Sequence, residues 1–227
     1  MLYFLLYNDG THTEHINRLI ESVKKYGKEC QLVVFHKNEI DPEFRSKYKD
    51  ILECKRGGGY WLWKPYIIHE TLNAIEPNDI VFYLDSKYYF IDSFVNRVIQ
   101  YTNEEELYLW KNKPNEPTYK MKHWCKMDAI VKYNMYDKVF QEEVQDAWAG
   151  CILVKKTERT SEWIQEWLTM CCVYEDITDS PSDQKNSEHF QDHRHDQSLL
   201  SILAHTHDIP LHTFEKSFLQ NVRQPFK

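Results

Sequence analysis

The chain has 227 residues, a length that suits one substantial domain better than two, because domains most often contain ~100 to 200 residues. Its 28 Lys and Arg residues against 35 Asp and Glu residues give a net charge of -7, which would repel a polyphosphate backbone and argues against nucleic-acid binding. The mean hydropathy is -0.66, and no long uncharged apolar run predicts a membrane span, which leaves peripheral membrane contact open.

The apolar residues 1–7 lack the basic flank and the small-residue cleavage site of a secretory signal, and therefore predict a first strand. Six cysteines form no Cys-x-x-Cys pair and no regular framework, a pattern typical of small buried hydrophobic residues. Both features favour a reducing, cytoplasmic location. With six glycines and no linker-like stretch, residues 1–227 are predicted to form a single domain.

Strand and helix patterns alternate as far as residue 84. The predicted strands are 3–7, 31–35 and 80–84, and the predicted helices are 16–23, one that starts at Pro42 after the capping acid Asp41, and one that starts at Pro65. The strands are rich in β-branched and aromatic residues, whereas the helical stretches carry apolar residues at helical spacing.

Further strands and helices are predicted as far as residue 204. Further strands are predicted at 107–110 and 149–154, and further helices at 94–99 after Asp92, at 161–172 and at 196–204, with a polar surface loop at 176–186. Such alternation is typical of an α/β domain with a mostly parallel central sheet and helices on both faces. Ligands of such sheets bind beyond the carboxyl ends of the strands, so polar residues that follow a strand are candidates for function.

Asp85, Ser86 and Lys87 follow the clearest buried strand, 80–84. A carboxylate at this position is costly to desolvate unless it binds a cation or accepts hydrogen bonds. The alternative is that Asp85 only caps the following turn.

A glycine-rich and aromatic segment, residues 56–65, contains half of the chain's glycines. Its glycines offer backbone N–H groups to a ligand such as a diphosphate, and Lys64 lies beside the helix start at Pro65. Aromatic rings in the same segment suit stacking on a base or a sugar; the predicted ligand-binding residues are Gly59, Tyr60, Trp61, Trp63 and Lys64. The alternative is a flexible turn followed by aromatic residues of the core.

His193, His195 and Asp196 precede the last predicted helix, with Gln197 and Ser198 in its first turn. Imidazole and carboxylate groups at a helix start suit a metal, a phosphate or acid–base chemistry. The alternative is that Asp196 is an ordinary helix cap. No further His or Cys pair is spaced to complete a tetrahedral zinc site.

Two further short segments carry weaker signals. Asp146, Trp148 and Gly150 surround the start of a predicted strand, and a probable helix opens at 124–128 with Lys126 and Asp128. Trp148 suits the floor of a sugar pocket, or else a core tryptophan beside a packing glycine.

Taken in order, these segments resemble a family of small GT-A-type glycosyltransferases, the nucleotide-diphospho-sugar transferases. The motifs that carry the resemblance are Gly-Tyr-Trp-x-Trp-Lys-Pro at 59–65, Leu-Asp-Ser at 84–86, Trp-x-Lys-x-Asp at 124–128, Ala-Gly at 149–150 and His-Asp-Gln-Ser at 195–198. The resemblance spans residues 56 to 203. It implies a GT-A-like, Rossmann-like domain.

The resemblance implies that Asp85 holds a divalent ion, Mn²⁺ or Mg²⁺, on the donor diphosphate, with His193 or His195 as a further ligand. The sequence departs from the usual Asp-x-Asp motif, because Lys87 stands where the second acid would be. Two interpretations follow: Asp85 shares a metal with the donor, or Lys87 itself supplies the positive charge.

The implied reaction moves a sugar, as in a hexosyltransferase, from a nucleotide diphosphate to a hydroxyl of a glycan or glycolipid acceptor. Asp196 is the first candidate for the catalytic base or carboxylate and Asp146 the second. The implied donor-binding residues are Gly59, Tyr60, Trp61, Trp63, Lys64, Asp85, Ser86, Lys87, Lys126, Asp128, Trp148, Gly150 and Gln197. Lys87 also motivates an alternative, a non-catalytic sugar- or nucleotide-binding module, and a nucleotidyltransferase is a third possibility.

Overall fold

The computed structural model describes residues 1–112, 116, 118–214 and 218–222. The strands in these residues are β1 (Leu2–Asn8), β2 (Cys30–His36), β3 (Ile80–Leu84), β4 (Tyr88–Phe90), β5 (Leu107–Lys111), β6 (Ala147–Lys155), β7 (Leu211–His212) and β8 (Leu219–Asn221). The helices are α1 (Thr13–Tyr26), α2 (Pro42–Lys47), α3 (Lys49–Leu52), α4 (Gly57–Tyr60), α5 (Trp63–Ala74), α6 (Val95–Glu104), α7 (Met121–Trp124), α8 (Met127–Lys132), α9 (Tyr136–Phe140), α10 (Glu158–Cys171), α11 (Tyr174–Ile177) and α12 (Asp196–Thr206). None of these described helices is long and apolar enough to cross a membrane.

The central sheet has the strand order β2-β1-β3-β6-β5-β7. Strand β1 pairs in parallel with β2 and β3, and β5 pairs in parallel with β7. Strand β6 lies antiparallel between β3 and β5. The predicted mostly parallel α/β sheet is confirmed, and the reversed β6 brings its own beginning to the edge where β1, β3 and β5 end.

Helices cover both faces of the sheet, as the sequence predicts. One face packs against α5, α10 and α12, and the other packs against α1 and α6. Strand β1 shows the alternation that this requires, since Leu5 and Tyr7 face the first layer whereas Phe4 and Leu6 face the second. Strand β6 is buried over most of its length for the same reason.

The helix caps agree only in part with the sequence signals. Asp41 caps α2 as predicted, because its Oδ1 accepts hydrogen bonds from the backbone N–H groups of Glu43 and Phe44, each at 2.9 Å. Asp92 does not cap α6: its Oδ1 accepts a bond from the adjacent Ser93 N–H, at 2.7 Å, and the helix begins later, at Val95.

Three helix starts also differ from prediction. Helix α5 begins at Trp63, two residues before Pro65, and proline is tolerated there because the first turn of a helix has no partners for its N–H groups. Helix α10 begins at Glu158 because Thr157 forms the cap, whereas the apolar pattern starts at 161. Two short helices, α7 and α8, replace the single helix predicted to open at 124–128.

Candidate active site

The candidate site lies at the carboxyl edge of the sheet. Asp85 follows β3, and its backbone N–H donates to the Gly150 carbonyl of β6 at 2.9 Å. Asp146 precedes β6, and its carbonyl accepts from the Asn112 N–H at the end of β5, at 2.8 Å. The ends of two strands and the start of a third thus bring these polar residues into one region.

Lys64 brings together three segments that are far apart in the sequence. Its Nζ lies 2.6 Å from Asp196 Oδ2 and 3.9 Å from Asp85 Oδ1. The side chains of Lys64 and Asp196 are each 4% exposed and that of Asp85 is 23% exposed. Lys87 Nζ lies 3.0 Å from the other oxygen of Asp85, Oδ2. We call these four residues, Lys64, Asp85, Lys87 and Asp196, the Lys64 cluster.

The two acids of the Lys64 cluster have opposite pKa shifts. Burial acts to raise the pKa of Asp85, but Lys87, Lys64 and a 2.9 Å hydrogen bond from Tyr83 Oη outweigh it and leave the pKa below its usual range. Burial dominates at Asp196 and raises its pKa to about 6, although Lys64 opposes the shift. Two carboxyl groups with separated pKa values are typical of acid–base sites.

The carboxylate of Asp85 does not cap the turn that follows it. That turn, which contains Ser86, is closed by a bond of 3.1 Å from the Tyr88 N–H to the backbone carbonyl of Asp85. The side chain instead faces Tyr83 and the two lysines. The Asp85 carboxylate therefore contacts charged and polar groups of the candidate site, and not the backbone of the turn.

Asp146, the second candidate base, is 1% exposed, and burial raises its pKa to about 6. Hydrogen bonds to its carboxylate from Ser201 Oγ at 2.9 Å, Asn112 Nδ2 at 3.3 Å and Gln197 Nε2 at 2.5 Å oppose this shift. The Gln197 Oε1 also accepts from the Ala149 N–H at 3.3 Å. Gln197 thus ties α12 to the start of β6.

The backbone N–H groups of Gly58 and Gly59 are used within the segment and are not left for a ligand, contrary to expectation. Gly57, Gly58 and Gly59 all have positive φ, and the N–H groups of Gly58 through Trp61 donate to carbonyl oxygens of residues 55–57. The Trp63 ring stacks on Tyr7 with centroids 4.0 Å apart, and its Nε1 donates to the Gly57 carbonyl at 2.9 Å. This segment is a tight, internally bonded turn that leads into Lys64.

Tyr60 and Trp61 pack against His195, whose ring centroid lies 4.8 Å and 5.5 Å from theirs. All three have positive φ, and His195 combines φ 53° with ψ -120°. A non-glycine residue in such a conformation costs on the order of 1 to 3 kcal/mol, which the surrounding contacts must offset. This strained junction places Asp196 at the start of α12.

Asp85, His193 and His195 do not fit a metal site as they are arranged. The Nδ1 of His195 lies 2.7 Å from the Ile177 carbonyl, and its Nε2, which has no hydrogen-bond partner among the described residues, lies 3.7 Å from Asp179 Oδ1. The Nδ1 of His193 accepts from the Lys126 N–H at 3.3 Å, so its Nε2 donates to the Asp176 carbonyl at 2.7 Å and neither nitrogen faces the site. The described ranges contain no group of three or more His, Cys, Asp or Glu side chains that could hold a metal ion. Asp85 is instead engaged by two ammonium groups.

Lys126 and Asp128 anchor the loop that the sequence predicts at 176–186, although its first two residues belong to α11. Lys126 Nζ donates to the Thr178 carbonyl and to Ser180 Oγ, each at 3.1 Å. The Asp128 carboxylate accepts from the N–H groups of residues 183 and 184, each at 2.8 Å. These bonds give both side chains a role in holding the loop, and the donor-binding role stays a prediction.

Trp148 and Gly150 shape the floor next to Asp85. The Trp148 ring packs edge-on against Tyr88 and Phe214, with both centroids 5.1 Å away. A Cβ on Gly150 would lie 2.3 Å from Trp148 Nε1 and 2.7 Å from Asp85 Oδ2. Because Gly150 has no side chain, the Asp85 carboxylate has room at this position.

Sequence reasoning missed Asn8, the last residue of β1, and Asp9, which follows it at the same edge. Asp9 Oδ1 accepts from the N–H and the Oγ1 of Thr11, at 2.8 Å and 2.6 Å, and its Oδ2 lies 3.7 Å from where a Cβ on Gly58 would be. Burial acts to raise the pKa of Asp9, but the Thr11 bonds and the nearby His12 leave it lowered. The rule that selected Asp85, a polar residue directly after a buried strand, would also have selected this pair.

An open cavity of about 410 Å³ lies elsewhere, between α2, α5 and α10. Its lining includes Phe44, Tyr48, Tyr66, Gln165 and Cys172, and it contains none of the predicted site residues. We place the candidate site at the Lys64 cluster because of its charged side chains and its position at the carboxyl edge of the sheet. The cavity does not change this assignment.

No protein-family profile matches the sequence, and no curated protein is a significant match. Solved structures do match. The apo structure of the bifunctional glycosyltransferase WbbM has a TM-score of 0.53 at 11% identity, covering 95% of this chain and 38% of WbbM. The galactosyltransferase LgtC, in complex with donor and acceptor sugar analogs, has a TM-score of 0.51 at 14% identity, covering 99% of this chain and 88% of LgtC.

The glycosyltransferase GlyE of Streptococcus pneumoniae TIGR4 has a TM-score of 0.49 at 14% identity, covering 95% of this chain. This chain spans 38% of WbbM and 45% of GlyE, less than half of either. At sequence identities of 11% and 14%, the similarity to WbbM and LgtC shows the fold alone. The chain therefore has the α/β fold of GT-A-type glycosyltransferases.

Proposed function

We propose that this chain is a glycosyltransferase that moves a sugar from a nucleotide diphosphate to an acceptor hydroxyl of a glycan or glycolipid. The observation that carries the proposal is the Lys64 cluster at the carboxyl edge of a GT-A-type sheet. There an ionised carboxylate, Asp85, and a carboxyl group with a pKa of about 6, Asp196, share one buried ammonium. Open α/β sheets bind their ligands at this edge.

Each member of the cluster suits one requirement of the reaction. The leaving diphosphate gains negative charge as the glycosidic bond breaks, and an ammonium group stabilises that charge. The acceptor hydroxyl must lose a proton, and a carboxylate whose conjugate acid has a pKa near the working pH is an efficient general base. Both Asp196 and Asp146 have a pKa of about 6, which suits a base. We assign the base to Asp196 first, because it belongs to the Lys64 cluster, and to Asp146 second.

The remaining predicted donor contacts belong to the same proposal. Tyr60 and Trp61 are partly exposed and suit stacking on the base or the sugar. The hexosyltransferase type, the nucleotide base and the acceptor are narrower predictions. They depend on which donor binds.

One observation favours a second candidate, a non-catalytic nucleotide-sugar-binding module. Asp85 is already paired with Lys87 at 3.0 Å and lies near Lys64, which are the contacts of a carboxylate that holds a structure together. In such a module the ligand would bind without turnover.

Calorimetric titration with a panel of nucleotide sugars, with and without Mn²⁺, followed by an assay for released nucleoside diphosphate, tests the proposal. We expect at least one donor to bind and to release its nucleoside diphosphate, with faster release when an acceptor glycan is added. Binding without release under either condition would favour the module. Release of pyrophosphate would indicate a nucleotidyltransferase, and no binding at all would contradict the proposal.

A further inference from the structure

We propose that the ammonium group of Lys87, and not a divalent cation, binds the donor diphosphate, and that Lys64 holds the two acids beside it. This inference rests on the proposed function. It starts from the disagreement between the cluster and the metal site that the sequence resemblance implies.

Both carboxylate oxygens of Asp85 already face cationic or hydrogen-bonding groups. Its Oδ2 lies 3.0 Å from Lys87 Nζ, and its Oδ1 accepts from Tyr83 Oη at 2.9 Å and lies 3.9 Å from Lys64 Nζ. A divalent ion would have to approach one of these oxygens to roughly 2.1 Å, directly beside two ammonium groups of the same sign. The residues around Asp85 therefore disfavour such an ion.

The two carboxylates of the Lys64 cluster have ammonium partners without a metal. Asp196 Oδ2 lies 2.6 Å from Lys64 Nζ, and Asp85 Oδ2 lies 3.0 Å from Lys87 Nζ. Buried charges are tolerated when they are paired in this way. The lowered pKa of Asp85 agrees with a carboxylate that keeps its charge beside lysines.

The two lysines differ in access to a ligand. The Lys64 side chain is 4% exposed and lies between the two acids, whereas that of Lys87 is 38% exposed and sits on the turn after β3. An ammonium carries three donors, so the bond to Asp85 is compatible with a second bond to a phosphate oxygen. Lys87 would then bridge the carboxylate and the phosphate as a cation does, and Lys64 would hold both acids in place.

The test measures affinity rather than activity. The whole chain is titrated with ADP, CDP, GDP and UDP in buffer with a chelator and in buffer with Mn²⁺. The variants are Lys87→Met, the charge-retaining Lys87→Arg, and the control Lys138→Met, which removes a lysine of similar exposure, 31%, whose ion-pair partner is Asp208. Thermal unfolding of each variant checks that it is folded.

We expect the tightest-binding nucleoside diphosphate to bind about equally well in chelator and in Mn²⁺. Lys87→Met should weaken binding about tenfold or more in both buffers, the loss expected for one charge-assisted hydrogen bond. Lys87→Arg should restore most of the affinity, and Lys138→Met should change nothing.

Two results would overturn the inference and leave the proposed function standing: binding that requires Mn²⁺ in the unaltered chain, or a Lys87→Met variant that binds normally. Failure of the proposed function looks different. In that case no nucleoside diphosphate and no nucleotide sugar binds in either buffer.

Discussion

Asp85 and Asp196 differ at the residue scale because their neighbours differ. Asp85 faces two lysines and a tyrosine hydroxyl, whereas Asp196 is almost completely buried and has one ammonium at 2.6 Å. The sequence predicts Lys64, Asp85 and Asp196 as separate candidates. It does not predict the Lys64–Asp196 bond, because 132 residues separate the partners and only tertiary packing joins them.

The raised pKa of Asp196 predicts the pH dependence of turnover. A base must be ionised, so kcat should rise with pH through a pKa of about 6. Asp196→Asn should lower kcat ~10²- to 10⁴-fold with a smaller change in KM, and should abolish this rise. Transfer rates between pH 5 and pH 8 provide the measurement.

Asp208→Asn is the matched control, since Asp208 is exposed and pairs with Lys138 outside the cluster. It should leave the pH profile unchanged. A profile for Asp196→Asn that still rises through pH 6 at the normal rate would remove Asp196 as the base.

At the scale of elements, α10 supports the start of α12 through one indole. Trp167 Nε1 donates to the Asp196 carbonyl at 3.0 Å, whereas Nε1 of the equally buried Trp163 has no hydrogen-bond partner among the described residues. Both rings lie on the core side of the same helix. They form a natural matched pair.

Substitution of each tryptophan by phenylalanine removes similar volume, but only Trp167→Phe also removes a hydrogen bond, the one from the indole N–H to the Asp196 carbonyl. We therefore expect Trp167→Phe to lower the free energy of unfolding by about 0.5 to 1.5 kcal/mol more than Trp163→Phe. It should also reduce turnover, because Asp196 is less well held. Chemical denaturation of both variants measures the difference, and equal losses would refute the role of this bond.

The glycine turn before α5 gives a second comparison within one element. Gly58 and Gly59 both have positive φ, but a Cβ on Gly59 would lie 2.7 Å from Leu52 Cα, whereas the nearest atom to one on Gly58 is 3.7 Å away. Gly58→Ala should cost about 1 kcal/mol from backbone strain. Gly59→Ala should cost clearly more, since main chain has to move.

Thermal or denaturant unfolding of the two alanine variants measures this difference. A Gly59→Ala variant no less stable than Gly58→Ala would contradict the close packing of this turn on α3.

Long, strongly patterned elements were predictable from the sequence, whereas short ones were not. Strand β3 was predicted to the residue, and β1, β2 and β5 to within one residue at each end. Strands β4, β7 and β8 have two or three residues each, too few for an alternating pattern. The antiparallel direction of β6 could not be predicted either, because the apolar sequence of a fully buried strand does not depend on the direction in which the strand runs.

At the scale of the whole molecule, the sequence predicts the layers and the functional edge but not how the site is assembled. Alternating patterns predict a sheet covered on both faces, and the rule for open α/β sheets selects Asp85. The strained backbone of His195 and the bonding of both His193 nitrogens depend on neighbours that only the fold supplies. Whether Asp85, His193 and His195 come together as metal ligands depends on this packing, which the sequence does not show.

The single-domain prediction leads to a test on the whole chain. Apolar clusters on both faces share the strands of one sheet, so unfolding should be cooperative. Circular dichroism and tryptophan fluorescence should report coincident transitions in urea. Two separated transitions would indicate two independent units.

A crystal structure of the chain with a bound nucleotide sugar tests the central claim most directly. We predict that the diphosphate lies at the carboxyl edge of the sheet, within hydrogen-bond distance of Lys87, and that the sugar lies beside Asp196. A donor bound elsewhere on the molecule, for example in the cavity between α2, α5 and α10, would contradict the account.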